Sequence, residues 1–305
     1  MTSHEVSETI DRSTYIGSAD IASLYAVEGA FGSPYEVWAR KRGIAPPIDM
    51  TEAMEVGLIL EDYVLGRYER EESETVGAKQ VFFRHPDYEF CGSTVDGLIM
   101  KDDQPVRIVE AKTTRDYKWD EVPLRYEAQV QWQMGVSGIH EADLTVLHRP
   151  DLQLKTYRIQ FNPSIFSALL DRAVDFWMGF VQTGTEPNTD GLAATTEILK
   201  SIKAEPGKTI EIDRIKDRLD ALKAAKLMAK QAEEQVEAIT NEIRAAMNDA
   251  EVGTIDGQTA VTWKTSTTSR LDTKRLKAEK PDVYEAFTTQ SESRTFRIST
   301  NKGDK

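Results

Sequence analysis

Three charged residues near the middle of the sequence, Asp96, Glu110 and Lys112, have the types and spacing of a metal-dependent hydrolytic site. Two carboxylates with open space between them suit Mg²⁺, which keeps waters and takes phosphate oxygens as further ligands. Such an ion stabilises the charge that develops on a phosphodiester under attack, and a nearby lysine can position or deprotonate the attacking water. This chemistry requires the three side chains to converge.

A predicted β-hairpin brings them together. Residues 94–100 and 106–112 are apolar, β-branched runs, and the polar stretch 101–105 between them ends in a proline that blocks strand continuation. Side chains alternate along a strand, so Glu110 and Lys112 point to one face, which Asp96 can reach from the neighbouring strand. An isolated Asp…Glu-x-Lys pattern is more often an ordinary surface ion pair, so the rest of the chain decides the interpretation.

Two more polar side chains lie on predicted helices beside the hairpin. Residues 50–72 form an amphipathic pattern in which Glu61 borders the apolar stripe, either as a third carboxylate aimed at the metal or as a solvated residue. Gln129, on a predicted helix over 124–137, shares a face with apolar residues and needs a hydrogen-bond partner there. Alone, it would more often be a core amide or an exposed residue.

Composition excludes several classes of protein. The 305 residues are 40% hydrophobic, with no apolar run near the ~20 residues of a membrane span, so no membrane partner is expected. The single cysteine, Cys91, excludes disulfides within the chain and all-cysteine metal sites. The polar N-terminus indicates no signal peptide, which favours a cytoplasmic setting. The net charge of −13 argues against a passive DNA-coating protein, although residues 261–305 hold ten Lys/Arg against six Asp/Glu.

The order of predicted elements indicates an α/β (α+β) fold, with a first domain over residues 1–190. Its other elements are two short helices within 11–42, strands within 76–92, 141–148 and 152–161, and a helix of about 20 residues from Asn162.

A linker over 191–210 and an extension over 211–305 are expected to follow this domain. The extension begins with a long amphipathic helix over 211–249. Its apolar stripe must pack on the 252–299 segment, another subunit or a partner, or else the helix breaks near Met228–Gln231 into a helical hairpin. Beyond it we predict strands over 252–256 and 259–264, a helix opening at Leu271-Asp272, and a strand over Ser293–Ser299.

Seven short motifs together resemble the YqaJ-like viral recombinase family, the phage λ exonuclease branch of the PD-(D/E)xK nucleases. The resemblance covers about residues 12–185 in the family's order and spacing. The motifs are Ile16-Gly-Ser-Ala-Asp-Ile21, Ser33-Pro-Tyr-Glu-Val-Trp38, Gly57-Leu-Ile-Leu-Glu61, His85-Pro-Asp-Tyr88, Ser93-Thr-Val-Asp-Gly97, Ile108-Val-Glu-Ala-Lys-Thr-Thr114 and Ala128-Gln-Val-Gln131.

The resemblance implies a restriction-endonuclease-like core, with a central mixed sheet flanked by helices, and a role for each site residue. Asp96, Glu110 and the main-chain carbonyl of Ala111 would hold Mg²⁺, for which Mn²⁺ can substitute. Lys112 would lie at the attacking water, and Gln129 would lie against Lys112 and that water. Glu61 would complete the metal site, directly or through a water.

A second implied site binds a DNA 5′-phosphate through Arg12, Ser18 and Thr94. The sequence departs from the family pattern at two positions. Val95 stands where the motif name expects proline, and Ala19 aligns with a family serine, leaving Ser18 one place earlier.

By the same resemblance, the chain is expected to be a Mg²⁺-dependent exodeoxyribonuclease in the cytoplasm of a bacterial host. It would resect double-stranded DNA ends 5′ to 3′, leaving 3′ single strands for recombination. The implied partners are DNA ends, a single-strand annealing protein (RecT-like or β-like) and further copies of the chain in a cyclic homo-oligomer.

Two alternatives stay open at the level of the sequence. One is an endonuclease or repair-complex nuclease of the same fold, which would cut circular duplex. The other is a non-catalytic DNA-binding or scaffold protein on a decayed nuclease fold, against which the intact Asp96, Glu110 and Lys112 argue.

Overall fold

The computed structural model describes residues 4–6, 10–27, 29–46, 50–289 and 294–299. The chain divides into two compact units, residues 1–203 and 204–305. Within the described residues, no helix is both long and apolar enough to cross a membrane.

A six-stranded mixed sheet forms the centre of the first unit. The strands lie in sequence order, and every neighbouring pair is antiparallel except β4 and β5, which are parallel. They are β1 (His4–Val6), β2 (Val76–Arg84), β3 (Gly92–Lys101), β4 (Gln104–Thr114), β5 (Glu141–His148) and β6 (Gln153–Gln160). Parallel neighbours require a crossover connection, which here contains a helix.

Helices cover both faces of this sheet, which confirms the predicted α+β fold. They are α1 (Ser18–Leu24), α2 (Pro34–Lys41), α3 (Glu52–Glu72), α4 (Leu124–Ser137), α5 (Pro163–Phe176) and α6 (Ala193–Ser201). A single π-helical turn over Trp177–Val181 continues α5. Side chains capping the first turns fix three of these helix starts: Ser33 for α2, Thr51 for α3 and Asn162 for α5.

The alternation of β4 divides its side chains between two cores. Val109 and Ala111 pack with Val64 and Leu65 of α3 on one face. Glu110, between them, points to the opposite face, where α4 packs with the larger core. The face carrying the candidate site is therefore the one covered by α4.

The β3–β4 turn is tighter than predicted. It consists of Asp102 and Asp103, both with positive φ, and the proline at 105 lies inside β4. The ladder accommodates Pro105 because its register shifts beside it, between Ile99 and Met100. The expectation that this proline lies outside the strand is therefore wrong.

Helix α6 lies within the segment predicted as a linker. Ile198 is buried, and the Thr195 hydroxyl donates to Ser33 Oγ at 2.7 Å. Ser33 is the residue that caps α2, so α6 packs beside α2 within the first unit.

The second unit begins with one long helix, α7 (Lys216–Met247), followed by the hairpin β7 (Val252–Ile255) and β8 (Gln258–Thr262). The two-residue turn has positive φ at Asp256 and Gly257, as the Asp-Gly pair predicts. Two short helices follow, α8 (Thr273–Glu279) and α9 (Pro281–Ala286).

Two expectations for this unit are wrong. α7 continues through Met228–Gln231 without a break, so it does not form a helical hairpin. Residues 294–299 are irregular backbone rather than a strand, and Ser293 lies outside the described residues. A strand needs a hydrogen-bonding neighbour, and among the described residues of this unit the small sheet contains only β7 and β8.

Candidate active site

The candidate site lies where β3 and β4 separate. Their hydrogen-bonded ladder ends at the pair Gly97–Val109, while β4 remains paired with β5 up to Thr114. At the point of separation, Asp96 Oδ2 accepts a hydrogen bond from the Ala111 main-chain N–H at 2.9 Å. The Asp96 carboxylate thus lies in the gap between the strands.

Glu110 lies at the centre of the site, and its carboxylate is fully engaged. The Lys112 ammonium forms an ion pair with Oε1, and Gln129 Nε2 donates to the same oxygen at 2.6 Å. Gln133 Nε2 donates to Oε2 at 2.6 Å. The structure therefore brings Asp96, Glu110, Lys112 and Gln129 together, with Gln129 bonded to Glu110 rather than to Lys112.

The electrostatics of the group follow from burial of like charges. Burial raises the pKa of Asp96 well above its usual value, and the negative charge of Glu110 raises it further. Burial lowers the pKa of Lys112, but the carboxylates of Glu110 and Asp96 outweigh this and raise it overall, so the ammonium stays charged. The site thus places two carboxyl groups beside one ammonium, and the charged form of Asp96 is disfavoured there.

Glu61 approaches the group from α3 without joining it. Its Oε1 accepts a hydrogen bond from Gln80 Nε2 at 2.5 Å. Burial raises the pKa of Glu61, and the charge of Glu110 adds to this. Among the described residues, no three His, Cys, Asp or Glu side chains lie close enough to hold a metal ion together. A role for Glu61 at the metal, directly or through a water, stays a prediction.

The donor set fits a hard divalent cation. Asp96 and Glu110 supply carboxylate oxygens, and the N–H and C=O of a strand residue point to the same edge, so the Ala111 carbonyl faces the same gap. Mg²⁺ is commonly bound by one or two carboxylates, with waters and phosphate oxygens as its remaining ligands. A cation here would also relieve the repulsion that raises the pKa of Asp96.

The predicted 5′-phosphate residues gather only in part. Arg12, exposed on a single 3₁₀ turn, and Thr94 both interact with Tyr15. Thr94 forms a hydrogen bond with the Tyr15 side chain. Burial raises the pKa of Tyr15, and the positive charge of Arg12 opposes this rise. Ser18 is buried in the first turn of α1. Sequence reasoning missed Lys41, whose Nζ donates to the Arg12 carbonyl at 2.7 Å and forms an ion pair with Asp20 at 2.8 Å.

Sequence reasoning also missed Gln133. It is buried one helical turn after Gln129, and besides Glu110 its Nε2 contacts the Thr94 carbonyl at 3.2 Å. Its Oε1 is buried with no partner. The signal was present as two amides spaced i, i+4, which lie on the same helix face.

Comparisons with known proteins agree with the resemblance. The family model of the YqaJ-like viral recombinase domain matches residues 10–140. "Uncharacterized protein YqaJ" of Bacillus subtilis (strain 168) is 31% identical over 300 residues, which cover 95% of this chain and 92% of that protein.

Solved structures are more distant. An alkaline exonuclease, LHK-Exo from Laribacter hongkongensis, is 20% identical, with a TM-score of 0.48 over 57% of this chain and 91% of its own. A phage-related exonuclease from Haemophilus somnus 129PT is 12% identical, with a TM-score of 0.44 over 56% of this chain and 96% of its own. The similarity to YqaJ over nearly the whole length of both chains shows that this chain belongs to the YqaJ-like viral recombinase family.

Proposed function

We propose that this protein is a Mg²⁺-dependent exodeoxyribonuclease that resects double-stranded DNA from its ends. Membership of a viral recombinase family supports a phage-type nuclease acting on DNA. The observation that carries the proposal is the pairing of two carboxylates, the buried Glu110 and the partly buried Asp96, with the charged Lys112 where β3 and β4 separate.

Each residue has a distinct task in this proposal. Asp96, Glu110 and the Ala111 carbonyl hold Mg²⁺, or Mn²⁺ in its place, and the ion supplies charge stabilisation for the phosphodiester under attack. The charged Lys112 ammonium orients the attacking water by donating a hydrogen bond to it. Gln129 and Gln133 hold the two oxygens of Glu110 in place. Glu61 orients water at the edge of the site.

The direction of digestion depends on recognition of the end. Arg12, assisted by Lys41 and Thr94, is proposed to bind a 5′-phosphate through charge-assisted hydrogen bonds. This gives 5′ to 3′ resection and leaves a 3′ single strand, which a single-strand annealing protein then pairs in the cytoplasm of the bacterial host. A cyclic homo-oligomer around the DNA would keep the enzyme on its substrate.

Two DNA substrates test this function. Linear duplex labelled at the 5′ end should release short labelled products with Mg²⁺ and none with EDTA, while covalently closed circular duplex should stay intact. Cutting of the circle would identify an endonuclease. Binding of both substrates without any cleavage, in Mg²⁺ and in Mn²⁺, would identify a non-catalytic DNA-binding protein.

A further inference from the structure

Helix α7 leaves its apolar stripe uncovered. The helix has 32 residues and is about 48 Å long. Val236 is 64% exposed and Ile239 57% exposed, and within the described chain only Met247 at its C-terminal end is buried. Within the described residues of the second unit, neither the neighbouring hairpin nor α8 and α9 cover this stripe.

The stripe has the spacing of a two-helix seam. Small or apolar side chains recur at alternating intervals of three and four residues from 222 to 246, the repeat that keeps one face against a second helix. One set of seam positions is Ile215, Leu222, Ala229, Val236 and Ile243. The other is Ala225, Ala232, Ile239 and Ala246, with Arg218 at its N-terminal end.

Charge divides this helix into two halves of opposite sign. Residues 216–231 contain five Lys/Arg and two Asp/Glu, a net charge of +3. Residues 232–247 contain four Glu and one Arg, a net charge of −3. Two parallel copies would place like halves side by side, whereas two antiparallel copies place each positive half against a negative one. The helix dipoles also oppose each other favourably in the antiparallel arrangement.

We propose that α7 pairs with α7 of a second copy of this chain as an antiparallel two-stranded coiled coil. Its two-fold axis passes midway between Ala229 and Ala232. In this register the central layers are apolar on both sides, because Leu222 meets Ile239 of the second copy and Ala225 meets its Val236. Near each end of the seam, Ile243 meets Arg218. The small residues at the centre let the two helices approach closely.

The same register predicts one specific charge contact at the edge of the seam. Lys226 flanks the seam one turn after Leu222, and Glu233 occupies the equivalent flanking position one heptad later. Antiparallel pairing brings Lys226 of each copy against Glu233 of the other, so the contact occurs twice. In a parallel pair these two residues do not face each other.

This pairing goes beyond the proposed nuclease function and does not depend on it. The contact is made by α7 alone, so it can form whether or not the first unit digests DNA or assembles into a ring.

Disulfide trapping tests orientation and register in the full-length protein. Two single variants, Leu222→Cys and Ile239→Cys, are mixed in equal amounts and oxidised. The mixture should form a disulfide that joins one chain of each variant. Neither variant alone should cross-link, because position 222 lies about 25 Å along the axis from its own copy in the pair. The native protein is the control, since Cys91 is buried. Cross-linking of either variant alone would indicate a parallel pair and overturn the proposal.

Charge reversal tests the predicted contact. Lys226→Glu or Glu233→Lys alone should weaken self-association at least about tenfold in analytical ultracentrifugation, because each creates two like-charge contacts. The double variant should return to within about threefold of the native dissociation constant. A double variant no better than the single ones would overturn the proposal. So would a native mass that does not change with concentration together with no cross-link in the mixture, which would mean that another protein covers α7.

Discussion

Asp96 Oδ2 accepts a hydrogen bond from the Ala111 N–H at 2.9 Å, at the first position where β3 and β4 no longer pair. A side chain thus takes over from the main chain as the partner of β4. The same contact fixes the carboxylate beside Glu110, where burial and like charge raise the pKa of Asp96. The residue that bridges the two strands is therefore also under electrostatic strain in the absence of a cation.

Asp96→Asn should abolish Mg²⁺-dependent DNA digestion while preserving the fold. The oxygen of the introduced amide can still accept from the Ala111 N–H, and the repulsion with Glu110 is removed. Unfolding of the metal-free protein should therefore require about 1 kcal/mol more than in the native protein. The native melting temperature should rise with Mg²⁺, and that of the variant should not. Asp62→Asn, which changes an exposed carboxylate paired with Lys79, is the control. Native cleavage rates in Asp96→Asn would refute the assigned metal site.

Lys112→Met should eliminate cleavage while leaving binding of Mg²⁺ and DNA intact. Removing the ammonium leaves the buried Glu110 charge uncompensated, so metal-free stability should fall by about 3 kcal/mol. Mg²⁺ should restore much of that loss, giving a larger metal-induced rise in melting temperature than in the native protein. Lys112→Arg should stay inactive, because a guanidinium presents a planar fork where the site holds a compact ammonium.

Lys79→Met, on the exposed pair with Asp62, is the matched control for this lysine. Calorimetry showing that Lys112→Met no longer binds Mg²⁺ would contradict the prediction that Lys112 acts in cleavage and not in metal binding.

Gln133→Leu should reduce cleavage per folded molecule, because Glu110 Oε2 loses its donor. The unpaired oxygen should also lower stability by about 1–3 kcal/mol. Gln131→Leu is the matched control on the same helix. It loses two hydrogen bonds, to the Gln160 carbonyl and from the Asn162 N–H, but none to the site. Equal loss of activity in both variants, after correction for the folded fraction, would show that Gln133 acts only through stability.

Arg12→Ala should change the choice of DNA ends rather than the chemistry. The native protein should digest 5′-phosphorylated duplex faster than 5′-hydroxyl duplex, and the variant should treat them alike, a loss of about 1.5–3 kcal/mol of discrimination. Cleavage of the hydroxyl substrate should be unchanged. Arg70→Ala, at the exposed end of α3, provides the control. If the native protein digests both ends at one rate, the 5′-phosphate site is not where we place it.

Truncation should be tolerated after Lys203 but not after Asn188. A chain ending at Lys203 retains α6, and it should keep Mg²⁺-dependent cleavage while losing processivity or partner binding. A chain ending at Asn188 exposes the surface that Ile198 covers and removes the Thr195–Ser33 hydrogen bond. It should be about 2–4 kcal/mol less stable by chemical denaturation. Equal stability of the two truncated chains would show that α6 is dispensable.

The sequence located most elements of the first unit and pointed to Asp96, Glu110, Lys112 and Gln129, which the structure brings together. Period-two and period-3.6 patterns located β2 to β6 and α1 to α5, and the Asp-Gly pair located the β7–β8 turn. These signals are local, so each can be read from a few neighbouring residues.

What the sequence did not predict depends on long-range packing. The separation of β3 from β4, the bond between Gln80 and Glu61 and the role of Gln133 each join residues 15 or more positions apart. The sequence of the segment containing α6 is typical of a linker. Its helix packs because Ser33 and the face of α2, which are distant in sequence, bury Thr195 and Ile198.

The mixed pairing of β4 has a consequence for how the protein is made. The β3–β4 hairpin is local and can form early. Parallel pairing of β4 with β5 requires the chain to return through a crossover connection that contains α4. Gln129 and Gln133, which hold Glu110, lie on that crossover. Contacts of high sequence separation form late, because loop closure must precede them. Under the proposed function, a growing or partly folded chain therefore carries Asp96, Glu110 and Lys112 before the amides of α4 fix Glu110, and DNA cleavage is expected only from the finished fold.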